Sequence, residues 1–374
     1  MDQDKAQFNG DGSMENCHKS TLTASENVLR AAPKPVDNLK STDSPNPHNK
    51  PKKRRAGKKV QRRRAVQDAV KHKTEVRRTE HKGLGLFAKE DIPKGARVLA
   101  ERPLLSIDPN LEVDGQNVLA RFRALPAEKQ REYLSLYSPV VSSDDATHIW
   151  SIFATNAFGL ERSDGSVAPA ICSKAARLNH SCVPNVFCAY NEELDLHTVH
   201  AVRDIAAEEE LLVSYIPGSY LVRQQRQEEL LDRYRFMCVC PSCEVPQEGD
   251  DHSEHRHLRM QQLDTELKSI RNNLEITGPE GMQAAAERLD ELVGIMEGEE
   301  GVLAELALAC KGAAYCNTSL GQLAKAGEYA GKARDAYLVC YGGDSPLVDK
   351  ALTEISELIE ARLSRSLGSI DIMA

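Results

Sequence analysis

The amino-acid sequence predicts an α+β protein: a unit of short β-strands interrupted by a helical insert and followed by a separate helical region. Three observations predict it. Residues 80–107, "EHKGLGLFAKEDIPKGARVLAERPLLSI", break short apolar runs with Gly and Pro, as strands joined by tight turns do. Around residues 145–160, and again beyond residue 257, the apolar period lengthens to that of a helix. Between these regions lies "FMCVCPSCE", with Cys238, Cys240 and Cys243 in a C-x-C-x-x-C pattern that suits a tetrahedral metal ion.

The chain starts without any such pattern. Residues 1–73 are rich in Asn, Ser, Pro, Lys and Asp, and are expected to be a disordered tail because they bury too little apolar surface to offset ordering. Within it, residues 50–64, "KPKKRRAGKKVQRRR", hold ten Lys and Arg and no acid. The residues after Arg64 hold 33 basic and 49 acidic side chains, so a basic arm precedes an acidic body. Such an arm fits a nuclear import signal or a nucleic-acid contact, because clustered cations displace counterions from phosphates; a solvated tail without a partner is the plainer alternative.

The β unit is expected over residues 74–218, with its helical insert at about 111–160. In "DDATHIWSIFATNAFGL" the residues Ile149, Ile152, Phe153 and Asn156 follow i, i+3, i+4, i+7, on a helix begun by Asp144 or Asp145. This spacing sets Asn156 on the inward stripe, either as a satisfied core amide or as a group that reaches a ligand. Next, "VFCAYNEELDLHTVHAV" reads as two strands around a turn at Asn191 to Glu193, and "ELLVSYI" as a third.

A cysteine-bearing segment is expected over 219–246. Three neighbouring thiolates point to one structural zinc, which needs a fourth ligand: Cys182, Cys188 or a histidine, which spacing alone does not separate. "DDHSEHRH" offers His252, His255 and His257 but reads as a polar linker. Over 255–366, Leu289, Leu292, Val293 and Met296, then Leu352, Ile355 and Ile359, recur at helical spacing among Ala-rich segments. This region is either a tetratricopeptide-like array or a plain helical bundle.

Hydrophobic residues make up 41% of the 374 residues, enough for real cores, and no apolar run approaches the roughly 18 residues of a membrane span. "MDQDKAQFNGDGSMENCHKS" lacks the layout of a signal peptide, so an intracellular protein with reduced cysteines is expected.

Taken in order, "KGLGLFA", "RLNHSCVPN", "EEELLVSYI" and "RYRFMCVCPSC" resemble the SET-domain lysine methyltransferases, most closely the branch of the SET-and-MYND proteins and similar fungal SET-domain proteins. The resemblance covers roughly residues 76–246. It implies a β-clip fold with a zinc-binding post-SET segment and a knot-like chain crossing, S-adenosyl-L-methionine and the substrate lysine entering from opposite faces. It further implies that Lys82, Gly83, Leu84 and Gly85 form the first cofactor loop, that Asn156 and Phe158 belong to the cofactor pocket, and that Asn179 and His180 contact the cofactor at the crossing. Phe236 matches the aromatic on adenine, Tyr215 and Tyr234 match the tyrosines of the lysine channel, and Cys182 matches the thiol that closes the zinc site with Cys238, Cys240 and Cys243. Leu84 stands where that branch often carries a basic residue. Residues 84–171 contain no cysteine, so the MYND module is expected to be missing.

The expected function is thus protein-lysine N-methylation of histone tails or other basic segments, by a monomer located in the nucleus and also in the cytoplasm. Two alternatives differ in class. A catalytically weak SET scaffold would bind partners through the C-terminal helices, and a zinc-dependent nucleic-acid binder would use residues 50–64 and survive the loss of Tyr215.

Overall fold

Three small sheets and two helical regions make up the computed structural model, which describes residues 52–370 apart from 141, 217–219, 245–251 and 273. The expectations for residues 1–51 and for the joins near 218 and 246 fall outside the described residues. Among the described residues no helix is long and apolar enough to cross a membrane.

The first sheet has the order β1-β2-β10-β7, built from β1 (Thr74–Arg78), β2 (Leu84–Ala88), β7 (Asn179–His180) and β10 (Glu210–Val213). β1 and β2 form an antiparallel hairpin, β2 pairs antiparallel with β10, and β10 runs parallel to β7. That parallel pair brings together segments about 30 residues apart and makes a crossing of the two. The second sheet is β3-β9-β8, with β3 (Arg97–Glu101), β8 (Val186–Asn191) and β9 (Leu196–Ala201). The β8–β9 turn spans residues 192–195, one residue later than expected, since Asn191 still belongs to the strand and its Oδ1 accepts from Leu194 N at 3.0 Å. The third sheet, β4-β6-β5, joins β4 (Leu105–Ser106), β5 (Phe158–Glu161) and β6 (Val167–Ile171). Leu86, Ile92, Val98, Phe158, Val199 and Leu211 are among the buried residues of the core that these sheets share.

The insert forms α2 (Gly115–Arg123), α3 (Ala127–Leu134) and α4 (Asp145–Asn156). Asp144 caps α4, accepting from Thr147 N at 2.8 Å, and Ile149, Ile152, Phe153 and Asn156 are all buried, as their spacing requires. Ile149, Ile152 and Phe153 pack with Phe122 and Tyr133 in a separate core.

One expectation is corrected here. The disordered tail does not extend to residue 73: α1 (Lys52–Val70) includes most of the basic run. The helix has no amphipathic period to announce it, and its stability comes from tertiary packing. Val66 and Val70, one turn apart, cover Ala100, Leu194 and Leu196. Arg63 Nε donates to Leu194 O at 2.6 Å and its Nη2 pairs with Asp195 at 3.1 Å.

After α5 (Arg223–Tyr234) the C-terminal region stacks α6 (His252–Asn272), α7 (Leu274–Met296, broken at Gly278), α8 (Leu303–Ser319), α9 (Leu323–Tyr341) and α10 (Pro346–Ile370). Each packs on the next, and α10 also returns to α8. Buried alanines such as Ala307, Ala313, Ala326 and Ala333 leave room for close helix approach. The stack is locked to β8, β3 and β9 by Asn191 Nδ2, which donates to Asp344 O at 2.8 Å, by the Arg97–Asp344 ion pair, and by His200, whose Nδ1 lies 2.8 Å from Cys340 O.

Candidate functional site

The site grows from the β1–β2 turn. Thr79 N donates to Gly83 O at 2.7 Å and Lys82 N to Thr79 Oγ1 at 2.9 Å, closing a turn whose Gly83 sits at φ +75°, a conformation that favours glycine. Gly85 is bare for a different reason. A Cβ there would lie 2.7 Å from Glu210 Oε1, 2.8 Å from Thr79 Cγ2 and 3.1 Å from Asn179 Nδ2, so the protein's own side chains occupy the space a larger residue would need.

Glu210 ties this turn to the crossing. Its Oε2 accepts from Lys82 Nζ at 3.0 Å, and its Oε1 from Asn179 Nδ2 at 2.8 Å; Asn179 also reaches Leu84 O at 3.3 Å. Leu84 itself is 40% exposed. Lys82, Gly85, Asn179 and Glu210 therefore form one connected group at the end of the first sheet.

His180 links that group to two others. Its Nδ1 accepts from Tyr215 N at 3.0 Å, which places the imidazole proton on Nε2, 3.3 Å from Cys182 Sγ. Its ring lies 5.2 Å from Tyr215 and 5.9 Å from Phe236, and Tyr215 lies 4.8 Å from Tyr234 and 6.3 Å from Phe236, nearly edge-on to the latter. Three rings thus surround that of Tyr215. The Tyr215 hydroxyl donates to Leu178 O at 2.8 Å, and burial pushes its pKa well up, so it stays a neutral phenol whose proton is committed.

Behind these rings lie four thiols. Cys182, Cys238, Cys240 and Cys243 have their sulfurs within 4.8 Å of one another. Cys182 Sγ is 3.5 Å from Cys243 Sγ and 4.0 Å from Cys238 Sγ. Four sulfurs at about 2.3 Å from a tetrahedral zinc would be separated by roughly 3.8 Å, so this donor set fits that ion in chemistry and in spacing. Cys188 lies in β8 and is not in the cluster. Gln227 clamps the loop by donating to Cys238 O and accepting from Cys238 N, both at 2.7 Å. Buried Arg226 donates to Leu221 O at 2.7 Å and to Ser242 O at 2.9 Å. Burial opposes its charge, but the Cys182 and Cys243 sulfurs outweigh burial and hold its pKa above the ordinary value, as suits a counterion for a thiolate centre.

Asn156 and Phe158 are committed to the interior. Asn156 Nδ2 donates to Tyr137 O at 2.8 Å and Ile152 O at 2.7 Å, and Phe158 is fully buried with its ring 4.7 Å from that of His197.

Three residues that hold the site together carry no clear sequence signal. Besides Glu210 and Arg226, Asn185 is wholly buried and staples the crossing: Nδ2 donates to Glu209 Oε1 and Glu210 O, each at 2.8 Å, and Oδ1 accepts from Leu212 N at 2.7 Å. The one hint of it is its place as the second Asn of "NHSCVPN".

A family model described as the SET domain matches residues 83–216. Histone-lysine N-methyltransferase set5 of Schizosaccharomyces pombe is 33% identical over 165 residues, 44% of this chain and 48% of its own length. N-lysine methyltransferase SMYD2-B of Xenopus laevis is 35% identical over 126 residues, 33% of this chain and 29% of its own. SET domain and MYND-type zinc finger protein 6 of Schizosaccharomyces pombe is 33% identical over 111 residues, 29% and 22% of the two lengths. The chain thus carries a SET domain homologous to those of Set5- and SMYD-type lysine methyltransferases, and it spans less than half the length of each of these relatives.

Proposed function

We propose that this protein is an S-adenosyl-L-methionine-dependent protein-lysine N-methyltransferase acting on histone tails or other basic segments. The observation that carries the reading is the ring of His180, Tyr215, Tyr234 and Phe236, joined through Asn179 and Glu210 to the Lys82–Gly85 turn; Gly83–Gly85, Asn179, His180, Glu210 and Tyr215 fall within the matched SET-domain residues 83–216, and Tyr234 and Phe236 follow them. Lys82, Gly83, Leu84, Gly85, Asn179, His180 and Phe236 would hold the donor, with Asn156 and Phe158 supporting the pocket from the interior. When bound, S-adenosyl-L-methionine supplies an electrophilic methyl group on a sulfonium.

The chain's own residues have two tasks. An incoming lysine has an ordinary pKa near 10.4, so presenting it as a neutral amine at pH 7 costs about 4–5 kcal/mol. A dry channel lined by Tyr215 and Tyr234 favours the neutral form by desolvation, with no general base required. Because the Tyr215 proton is held by Leu178 O, the phenol oxygen meets an amine only as an acceptor, which turns the nitrogen lone pair away from it. The four thiols would hold one structural zinc that braces the segment carrying Tyr234 and Phe236.

The test is methyl transfer to histones and to cell-lysate proteins, with mass spectrometry of the products. Tyr215→Phe should lower kcat about 100-fold or more while donor affinity stays within about twofold. Turnover at the wild-type rate would refute the role of Tyr215, and no donor uptake by the wild type would refute the reading as a whole. An acidic body suits basic substrates, and the basic run suits a nuclear location with a cytoplasmic pool.

A further inference from the structure

The basic run raises a question that the methyltransferase site does not absorb. α1 is docked on the β3-β9-β8 sheet by its C-terminal turns, through Arg63, Val66 and Val70. Its outward residues Lys58, Lys59 and Arg64 are exposed, Arg62 is exposed but pairs with Glu193 at 2.8 Å, and Lys52, Lys53, Arg54 and Arg55 occupy its first turns. Nine of the 13 residues from 52 to 64 are Lys or Arg, and no acid occurs before Asp68. A helical stretch of 13 residues is about 20 Å long. The run is therefore a rod of positive charge fixed on a body whose residues after Arg64 hold 33 bases against 49 acids.

We propose that α1 is a duplex-DNA contact that grips the phosphate backbone without reading base sequence. Charge complementarity selects a polyanion: B-DNA presents one negative charge per roughly 1.7 Å of axis, and its major groove, about 12 Å wide, accommodates a helix. The side-chain chemistry narrows the choice further. Residues 52–73 contain no Phe, Tyr or Trp, so the arm offers no stacking platform for unpaired bases. Val60, 46% exposed, is the one large apolar side chain facing outward between residues 57 and 65, too little to anchor a helix in a lipid surface. The acidic body repels DNA, which confines the contact to the arm, and counterion release at the phosphates the arm neutralises makes the contact salt-dependent.

The experiment measures binding of the full chain to a fluorescein-labelled duplex of about 20 base pairs and arbitrary sequence by anisotropy, between about 50 and 200 mM salt. The triple variant K58Q/K59Q/R64Q should weaken binding about tenfold or more and flatten the log–log salt slope by about 2.7, at about 0.9 for each phosphate no longer neutralised. It should keep the wild-type circular dichroism spectrum and unfolding midpoint, because these three side chains are exposed. The control R121Q/R131Q, on the helical insert, should leave the slope unchanged. Equal affinity of the triple variant and the wild type, a salt-independent affinity, or tighter binding of double-stranded RNA than of DNA would each overturn the proposal. The measurement uses no methyl donor, so its failure leaves the methyltransferase reading standing, and the converse also holds.

Discussion

Acid should loosen the contact between the SET region and the C-terminal helices, with His200 as the group responsible. Arg97 Nε can only donate, so at 2.9 Å it fixes His200 Nε2 as the acceptor and leaves the proton on Nδ1, which donates to Cys340 O at 2.8 Å. Burial lowers the His200 pKa from 6.5 to about 4; Arg97 pushes the same way, while the Cys340 carbonyl and Asp344 act in opposition. The folded state holds this ring neutral, so below pH 6.5 the unfolded chain binds the extra proton. Stability is therefore complete above pH 6.5 and is lost as pH falls toward 4. The linkage relation puts the loss at about 1.4 kcal/mol at pH 5.5 and about 2 kcal/mol at pH 5.0. Buried His197, lowered to about 3, adds a loss of the same sign, so wild type alone does not isolate the effect. Urea unfolding of wild type and His200→Gln at pH 7.5 and 5.5, followed by circular dichroism, isolates it. The glutamine keeps an acceptor for Arg97 and cannot titrate, and every other group cancels in the difference. Between the two pH values the wild type should lose about 1.4 kcal/mol more than the variant. Equal losses in the two proteins would refute the assignment of the acid effect to His200.

Other outcomes follow from the same geometry. Cys240→Ser should drop zinc content, measured by elemental analysis, from about one ion per chain to near none, and should lower the unfolding midpoint, because metal binding to such a cluster is linked to folding. Glu210→Gln removes the charge shared by Lys82 and Asn179 and should weaken donor binding by about 3- to 10-fold in calorimetry; adding Lys82→Gln should then cost less than it does in the wild type. Asn185→Ala leaves Leu212 N and Glu210 O without their side-chain partner and should destabilise the protein by about 2–4 kcal/mol in urea unfolding.

The parts of this protein legible in its sequence are those in which the signal and the structure are both local. Asp144 ahead of a helical period marked the start of α4, and Gly and Pro marked the turns between strands. The C-x-C-x-x-C loop announced a cluster of thiols, since three thiols of one loop need no other part of the chain to come near one another. The fourth thiol was not legible by spacing, because Cys182 and Cys238 are 56 residues apart and only folding brings them within 4.0 Å. Glu210 gave no warning either: among three consecutive glutamates, only the register of β10 against β2 and β7 turns this one toward Lys82 and Asn179. The fold of α1 was hidden for the opposite reason. A run of like charges repels itself in isolation, and the apolar residues that hold it down, Ala100, Leu194 and Leu196, lie on strands and a turn far along the chain.

By itself, the order of residues determined the class of fold, the SET-domain motifs and the presence of a thiol loop, because hydrophobic period, turn chemistry and ligand spacing act over a few residues. Which side chains meet was decided only in three dimensions. The parallel pairing of β7 with β10 brings the Asn179–His180 pair, the Tyr215 ring and the Cys182 sulfur to one crossing, and the β8–β9 hairpin supplies the seat for both the basic helix and the C-terminal stack. Such contacts depend on burial and register between segments distant in the chain, and these quantities exist only once the chain has folded.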